Sequence, residues 1–150
     1  GLTTGVNDGF FDDPNRDNRP NIVHFALDTN PLGTGTDEGK TVLTVLPDGG
    51  AENHLTYTVP VRKGAVFSGV PLTSAPIDGI IYSIHGSTSL TASDIAVVER
   101  TTATDTASLP VLGDFDAAPG ADYEYRTFRL ITSASATQQG FMWIEIGAAP

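Results

Sequence analysis

Cysteine is absent from the 150-residue chain, which removes a disulfide framework, a thiolate metal site and a cysteine nucleophile from consideration. Basic residues are scarce: 8 Lys and Arg stand against 18 Asp and Glu, a formal charge of −10. That field repels phosphate backbones and anionic lipid surfaces, so no nucleic acid partner is expected. No run of about 18 apolar residues is available to span a bilayer, and no membrane insertion is expected. Gly1 opens no charged-then-apolar leader, so the export signal of a secreted protein is expected upstream of it. With one Trp and four Tyr, the chain lacks the surface of an aromatic-rich lectin.

What the chain has in quantity is Gly (16) and Pro (10), together with Thr and Ser. This is the profile of a secreted, β-rich extracellular module. The length fits one domain that buries a core without staples. Residues 1–32, dense in Gly, Asn and Asp, read as an irregular arm, and residues 33–150 as the domain proper. Within the arm, residues 21–27 (NIVHFAL) form the one helical segment: Ile22 or Val23 shares a face with Ala26 and Leu27. Pro20 suits its first turn, and Asn30-Pro31 lies just past its end. Residues 33–39 (GTGTDEG) make a second turn-rich stretch.

From Thr41 onward the pattern is strands divided by turns. Residues 41–46 (TVLTVL) lead through Pro47-Asp48-Gly49-Gly50 into residues 54–61 (HLTYTVPV), a hairpin with Leu55, Tyr57 and Val59 on one face and His54, Thr56 and Thr58 on the other. Residues 66–72 read as an edge strand because Pro71 cannot donate to a ladder. Residues 80–85 (IIYSIH), 95–99 (IAVVE), 123–131 (YEYRTFRLI) and 141–146 (FMWIEI) complete the set, with a polar connection over 132–140. Seven or eight short strands, each sheet needing a partner for one face, predict an all-β antiparallel β-sandwich.

The segment with the most chemical content is Asp13-Pro14-Asn15-Arg16-Asp17-Asn18-Arg19-Pro20-Asn21. It places oxygen-bearing side chains at positions 1, 3, 5 and 9 of a calcium loop, with Arg19 at position 7, where such loops use a backbone carbonyl. Asn18 at position 6 is the next best residue to Gly for a positive φ. Position 12, however, is His24 in place of a bidentate Glu, and imidazole is a poor ligand for a hard cation. Calcium at Asp13, Asn15, Asp17, Arg19 and Asn21 would then need Asp8, Asp12 or Asp28 to make good the loss. The alternative is an Asx-rich turn whose side chains accept backbone N–H groups ahead of the helix.

The spacing Asp13-x-Asn15-x-Asp17-x-x-x-Asn21-x-x-His24-Phe25-Ala26-Leu27-x-x-Asn30-Pro31-Leu32 resembles D-x-D-x-D-G-x-x-N-x-x-E-Y-A-L-G-x-D-P-L, a segment of large secreted proteins of environmental bacteria. That segment is similar to dockerin and thrombospondin type 3 calcium loops and precedes a C-terminal β-domain. The likeness continues in Leu55-Thr56-Tyr57-Thr58, in Gly79-Ile80-Ile81-Tyr82-Ser83-Ile84 with Ser87-Thr88-Ser89-Leu90, and in Phe128-Arg129-Leu130 and Trp143-Ile144-Glu145-Ile146. It covers most of the chain. The resemblance implies an accessory module at the end of an exported enzyme or adhesin, without activity of its own. The departures at Asn18 and His24 bear on the family's ion site, not on its fold.

Alternation in residues 141–146 puts Phe141, Trp143 and Glu145 on one face and Met142, Ile144 and Ile146 on the other. The second is the better core face, so Phe141 and Trp143 are expected outward beside a carboxylate, an arrangement that suits sugar rings. Tyr123 and Tyr125 form a similar pair opposite Glu124 and Arg126, although such stripes serve cross-strand packing more often than binding. His24, His54 and His85 form no metal-ligand pair. No G-x-S-x-G elbow supports a triad from Ser83 or Ser87 with His85. Asp114 and Asp116 read as a loop or a second ion site, not as a glycosidase pair. The expected function is therefore a non-catalytic extracellular module that binds polysaccharide or anchors its parent at a cell-surface component. The rival is a self-associating structural subunit, of a filament or surface layer, whose arm is held by a neighbouring chain.

Overall fold

A computed structural model describes residues 2–33, 41–47, 52–89, 92–100, 120–136 and 139–150. Among these residues one short helix, α1 (Asn21–Ala26), precedes eight strands: β1 (Val42–Pro47), β2 (Asn53–Arg62), β3 (Phe67–Ser68), β4 (Leu72–Ser74), β5 (Ile80–Ser87), β6 (Val97–Glu99), β7 (Tyr123–Leu130) and β8 (Phe141–Ala148). They form two four-stranded sheets, β1-β2-β7-β6 and β3-β4-β5-β8, and every strand pair is antiparallel. The fold is thus the all-β sandwich that the alternation predicts. The stretch read as one edge strand is two short ones, β3 and β4, which turn at Gly69 (φ 83°) before a cis Val70–Pro71 bond. The connection at Asp48-Gly49-Gly50, most of the 33–39 stretch, and Asp114 and Asp116 lie outside the described residues.

Register decides which side chains meet. Val59 and Val61 of β2, Phe128 and Leu130 of β7 and Val97 of β6 face Ile80, Tyr82 and Ile84 of β5 and Met142 of β8 in a single core. Parity also turns Arg126 inward, because it stands opposite Val59. Its charge is met there by Glu99 and by Glu124 at 2.7 Å, while its guanidinium lies 5.8 Å over the Phe67 ring. The Glu99 hydrogen bond outweighs desolvation and raises the Arg126 pKa further. The second face of β2 is buried too, and its hydroxyls are used: Thr56 donates to the Thr44 carbonyl at 3.0 Å and Thr58 lies 2.9 Å from Thr127 Oγ1. An isolated bridge joins Gly86 of β5 to Ile95, just ahead of β6: the Gly86 carbonyl accepts from Ile95 N at 3.1 Å. A Cβ at Gly86 would collide with Leu130 and stand 2.8 Å from the Ile95 carbonyl oxygen.

The helix belongs to this core. Ile22 and Ala26 are buried in the same cluster as the strand residues, and α1 packs against β2 and β8. Pro20, expected inside the first turn, is the residue just before the helix, in an extended conformation (φ −67°, ψ 159°). Tyr82 fastens the helix to both sheets: its hydroxyl donates to the Ala26 carbonyl at 2.8 Å and accepts from Arg62 N at 3.0 Å. Burial pushes its pKa up to about 12, so the hydroxyl remains a donor at ordinary pH. Removing it leaves a buried carbonyl and a partly buried N–H without this partner, which costs about 1–3 kcal/mol. In urea unfolding, Tyr82→Phe is therefore expected to lower the unfolding free energy by that amount, read as a lower midpoint at an unchanged slope, and Gly86→Ala to cost about 1–3 kcal/mol by overpacking. Parent-like stability of Tyr82→Phe would contradict this role.

Candidate functional site

Among the described residues three places carry chemistry: the Asp13 loop, the outer face of the β3-β4-β5-β8 sheet, and a cavity between the arm and the sandwich. In the loop, Asp13 accepts from the backbone N–H of Asp17 at 3.2 Å and of Asn18 at 3.0 Å, and Asp17 accepts from Arg19 N at 2.9 Å. Asn18 has φ 66°, as its place in the loop requires, and Arg16 has φ 59°. Asn15 donates to Asp17 Oδ2 at 3.0 Å and to the Gly33 carbonyl at 2.9 Å. Asn21 turns away from the loop, and its amide donates to the Asn7 and Gly9 carbonyls, both at 2.9 Å.

His24 fills the place of the missing Glu. Its Nε2 lies 3.5 Å from Asp17 Oδ2 and its Nδ1 2.8 Å from Thr29 Oγ1. Desolvation would raise the Asp17 pKa, but the Arg19 N–H, the Asn15 amide and the His24 ring together hold it below its ordinary 3.8. A depressed carboxyl pKa stabilises the folded loop above the unfolded value, and that contribution is lost as pH falls through the folded one.

The fit to calcium is partial. Asp13 and Asp17 supply carboxylates, but both already serve backbone N–H groups, and Asn21 faces elsewhere. The candidate replacements are engaged too: Asp8 accepts from Gly5 N at 2.6 Å, Asp12 from Gly9 N at 2.8 Å and Asp28 from Gly120 N at 2.7 Å. Among the described residues no group of three or more His, Asp or Glu side chains is set to hold a metal.

On the outer face of the second sheet, Trp143 stands opposite His85, and their rings stack 5.0 Å apart at 8°. Glu145 Oε1 accepts from the indole N–H at 3.3 Å, and Glu145 Oε2 lies 3.5 Å from His85 Nε2. Ser83 stands opposite Glu145, with Thr73 Oγ1 3.3 Å from its hydroxyl, and Phe141 continues the row on β8. Thus Phe141, Trp143 and Glu145 share one face, half-buried to exposed. Tyr123 and Tyr125, opposite Arg62 and Pro60, lie on the other sheet and do not join them. The Tyr123 hydroxyl instead donates to the Phe25 carbonyl at 2.5 Å, closing a helix terminus.

The cavity measures about 280 Å³, and its lining includes Asp8, Phe10, Phe25, Asp28 and Tyr123. Of these, the sequence singles out Tyr123 as a ligand residue and Asp8 and Asp28 only as substitute ligands for a calcium ion. The readable signal at Asp28 is its position just beyond the helix, with φ 53°, where Gly or Asn is the ordinary choice.

No helix among the described residues is long and apolar enough to cross a membrane. The chain matches no protein-family model, no curated protein and no solved structure. For the loop, a calcium titration followed by calorimetry is expected to show no saturation below about 10⁻⁴ M, the range of extracellular modules. Micromolar binding would mean that the donors rearrange. Asp17→Asn is expected to flatten the acid side of the stability profile below pH 3.8, where the parent loses this contribution.

Proposed function

We propose that the chain is a non-catalytic, secreted accessory module that binds polysaccharide on the outer face of its second sheet. The observation that carries this reading is the flat Trp143–His85 stack with Glu145 at its edge. The C–H faces of a sugar ring gain from an aromatic surface, and its hydroxyls need oriented oxygens beside it. Phe141, Ser83 and Thr73 extend the face in both respects. The resemblance to the terminal β-domains of large secreted bacterial proteins supports the same reading. Calcium in the Asp13 loop, held by Asp13, Asn15, Asp17 and the Arg19 carbonyl, would stiffen the arm and take no part in sugar binding. Cosedimentation with a panel of insoluble polysaccharides is expected to retain the protein, and Trp143→Ala to weaken retention about tenfold with an unchanged circular dichroism spectrum. Retention by no member of the panel, or full retention of the variant, would sink the proposal.

A second reading has its own observation. Among the described residues strand β1 ends the first sheet and exposes Leu43 (52 %) and Val45 (49 %) on one side, an edge of the kind that pairs with another chain. A self-associating extracellular subunit would use it. Light scattering over a concentration series then gives growing particles that Val45→Lys reduces to monomers, whereas a concentration-independent monomer removes this reading.

A further inference from the structure

We infer that the cavity between the arm and the sandwich binds a small organic cation, an amine or quaternary ammonium, independently of the Trp143 face. Phe10, Phe25 and Tyr123 line it, and the Phe10 and Phe25 rings stack 6.4 Å apart at 24°. Two carboxylates, Asp8 and Asp28, line the same space. Aromatic rings combined with carboxylates recognise an alkylated cation: the ring faces carry negative potential, and the acids balance the charge.

The bases at the cavity, His24 in its lining and Arg62 beside it, are each paired with carboxylates outside the lining. Arg62 stacks 4.9 Å over Phe25 and 4.7 Å over Tyr123 but is matched by Asp78 at 2.7 Å and Asp122 at 3.9 Å. The formal charge of −10 adds a long-range attraction for cations. Asn21, also in the lining, carries a buried amide oxygen without a hydrogen-bond partner among the described residues.

Asp28 is the informative residue. It sits at φ 53°, where an aspartate is less at ease than Gly or Asn. Asp28→Asn keeps an acceptor for Gly120 N and suits that backbone conformation, so it removes the charge without disturbing the fold. A volume of about 280 Å³ lies at the small end for ligand pockets, which fits a headgroup-sized cation better than an oligosaccharide.

The test is an NMR titration of the full chain with four probes: choline, n-butylamine, the neutral tert-butyl isostere of choline, and phosphatidylcholine vesicles. At least one of the two soluble cations is expected to shift Phe10, Phe25, Asp28 and Tyr123 saturably, and the neutral isostere not to. Asp28→Asn is expected to weaken that binding about tenfold while its spectrum stays folded. Vesicle binding through the same residues would identify a lipid headgroup as the source of the cation, and its absence a free one. The inference is overturned if neither cation shifts these residues, if the isostere binds equally well, or if both Asp28→Asn and Asp8→Asn keep parental affinity.

Discussion

The Tyr82 hydroxyl is the contact on which the rest of the structure depends. A short helix of six residues has too few internal hydrogen bonds to persist alone, and its last carbonyls need partners from outside. Tyr82 supplies one to Ala26 and Tyr123 supplies one to Phe25. Since Tyr82 also accepts from Arg62 N, a single phenol links the helix, the end of β2 and the start of β5. Ile22 and Ala26 then complete the apolar interior. The segment that composition marks as an arm is thereby part of the folded body.

This fastening has a consequence for the surface. Bringing the helix terminus down onto Arg62 and Tyr123 leaves Phe10, Phe25 and Tyr123 beside Asp8 and Asp28, with Arg62 over the Phe25 and Tyr123 rings, and that is the cavity. The Asp13 loop, on the other side of His24, orders the entry to the helix through backbone N–H groups held by Asp13 and Asp17. Its chemistry is spent on shape. The Trp143 face lies apart from both, on the outer side of the second sheet.

Period-two alternation makes the strands readable, and in residues 141–146 it also separates Met142, Ile144 and Ile146 from Phe141, Trp143 and Glu145 correctly. Alternation separates Thr56 and Thr58 from Tyr57 and Val59 but does not show that both faces of the strand are buried, with the two hydroxyls bonded to Thr44 and Thr127. The inward turn of Arg126 has no local signature, because it depends on register with Val59 and on Glu99, which are distant in the chain. Tyr123 reads in the sequence as one of an aromatic pair offered to a ligand, not as a partner of the helix, since Phe25 lies 98 residues away. Spacing alone likewise could not show that Asn21 leaves the loop for the Asn7 and Gly9 carbonyls. Loop motifs fix the order of donors, and tertiary contacts decide where each one points.

The central claim, that helix and sandwich form one cooperative body, is tested most directly by native-state hydrogen exchange. The Leu27 amide, bonded to the Val23 carbonyl at 3.0 Å, and the Arg62 amide on Tyr82 report the helix and its anchor. They are expected to exchange only through the global unfolding that also exposes the amides of β5, with the same denaturant dependence. Exchange of the Leu27 amide through a local opening of much lower free energy, with β5 still protected, would contradict the account and return residues 1–32 to the status of an arm.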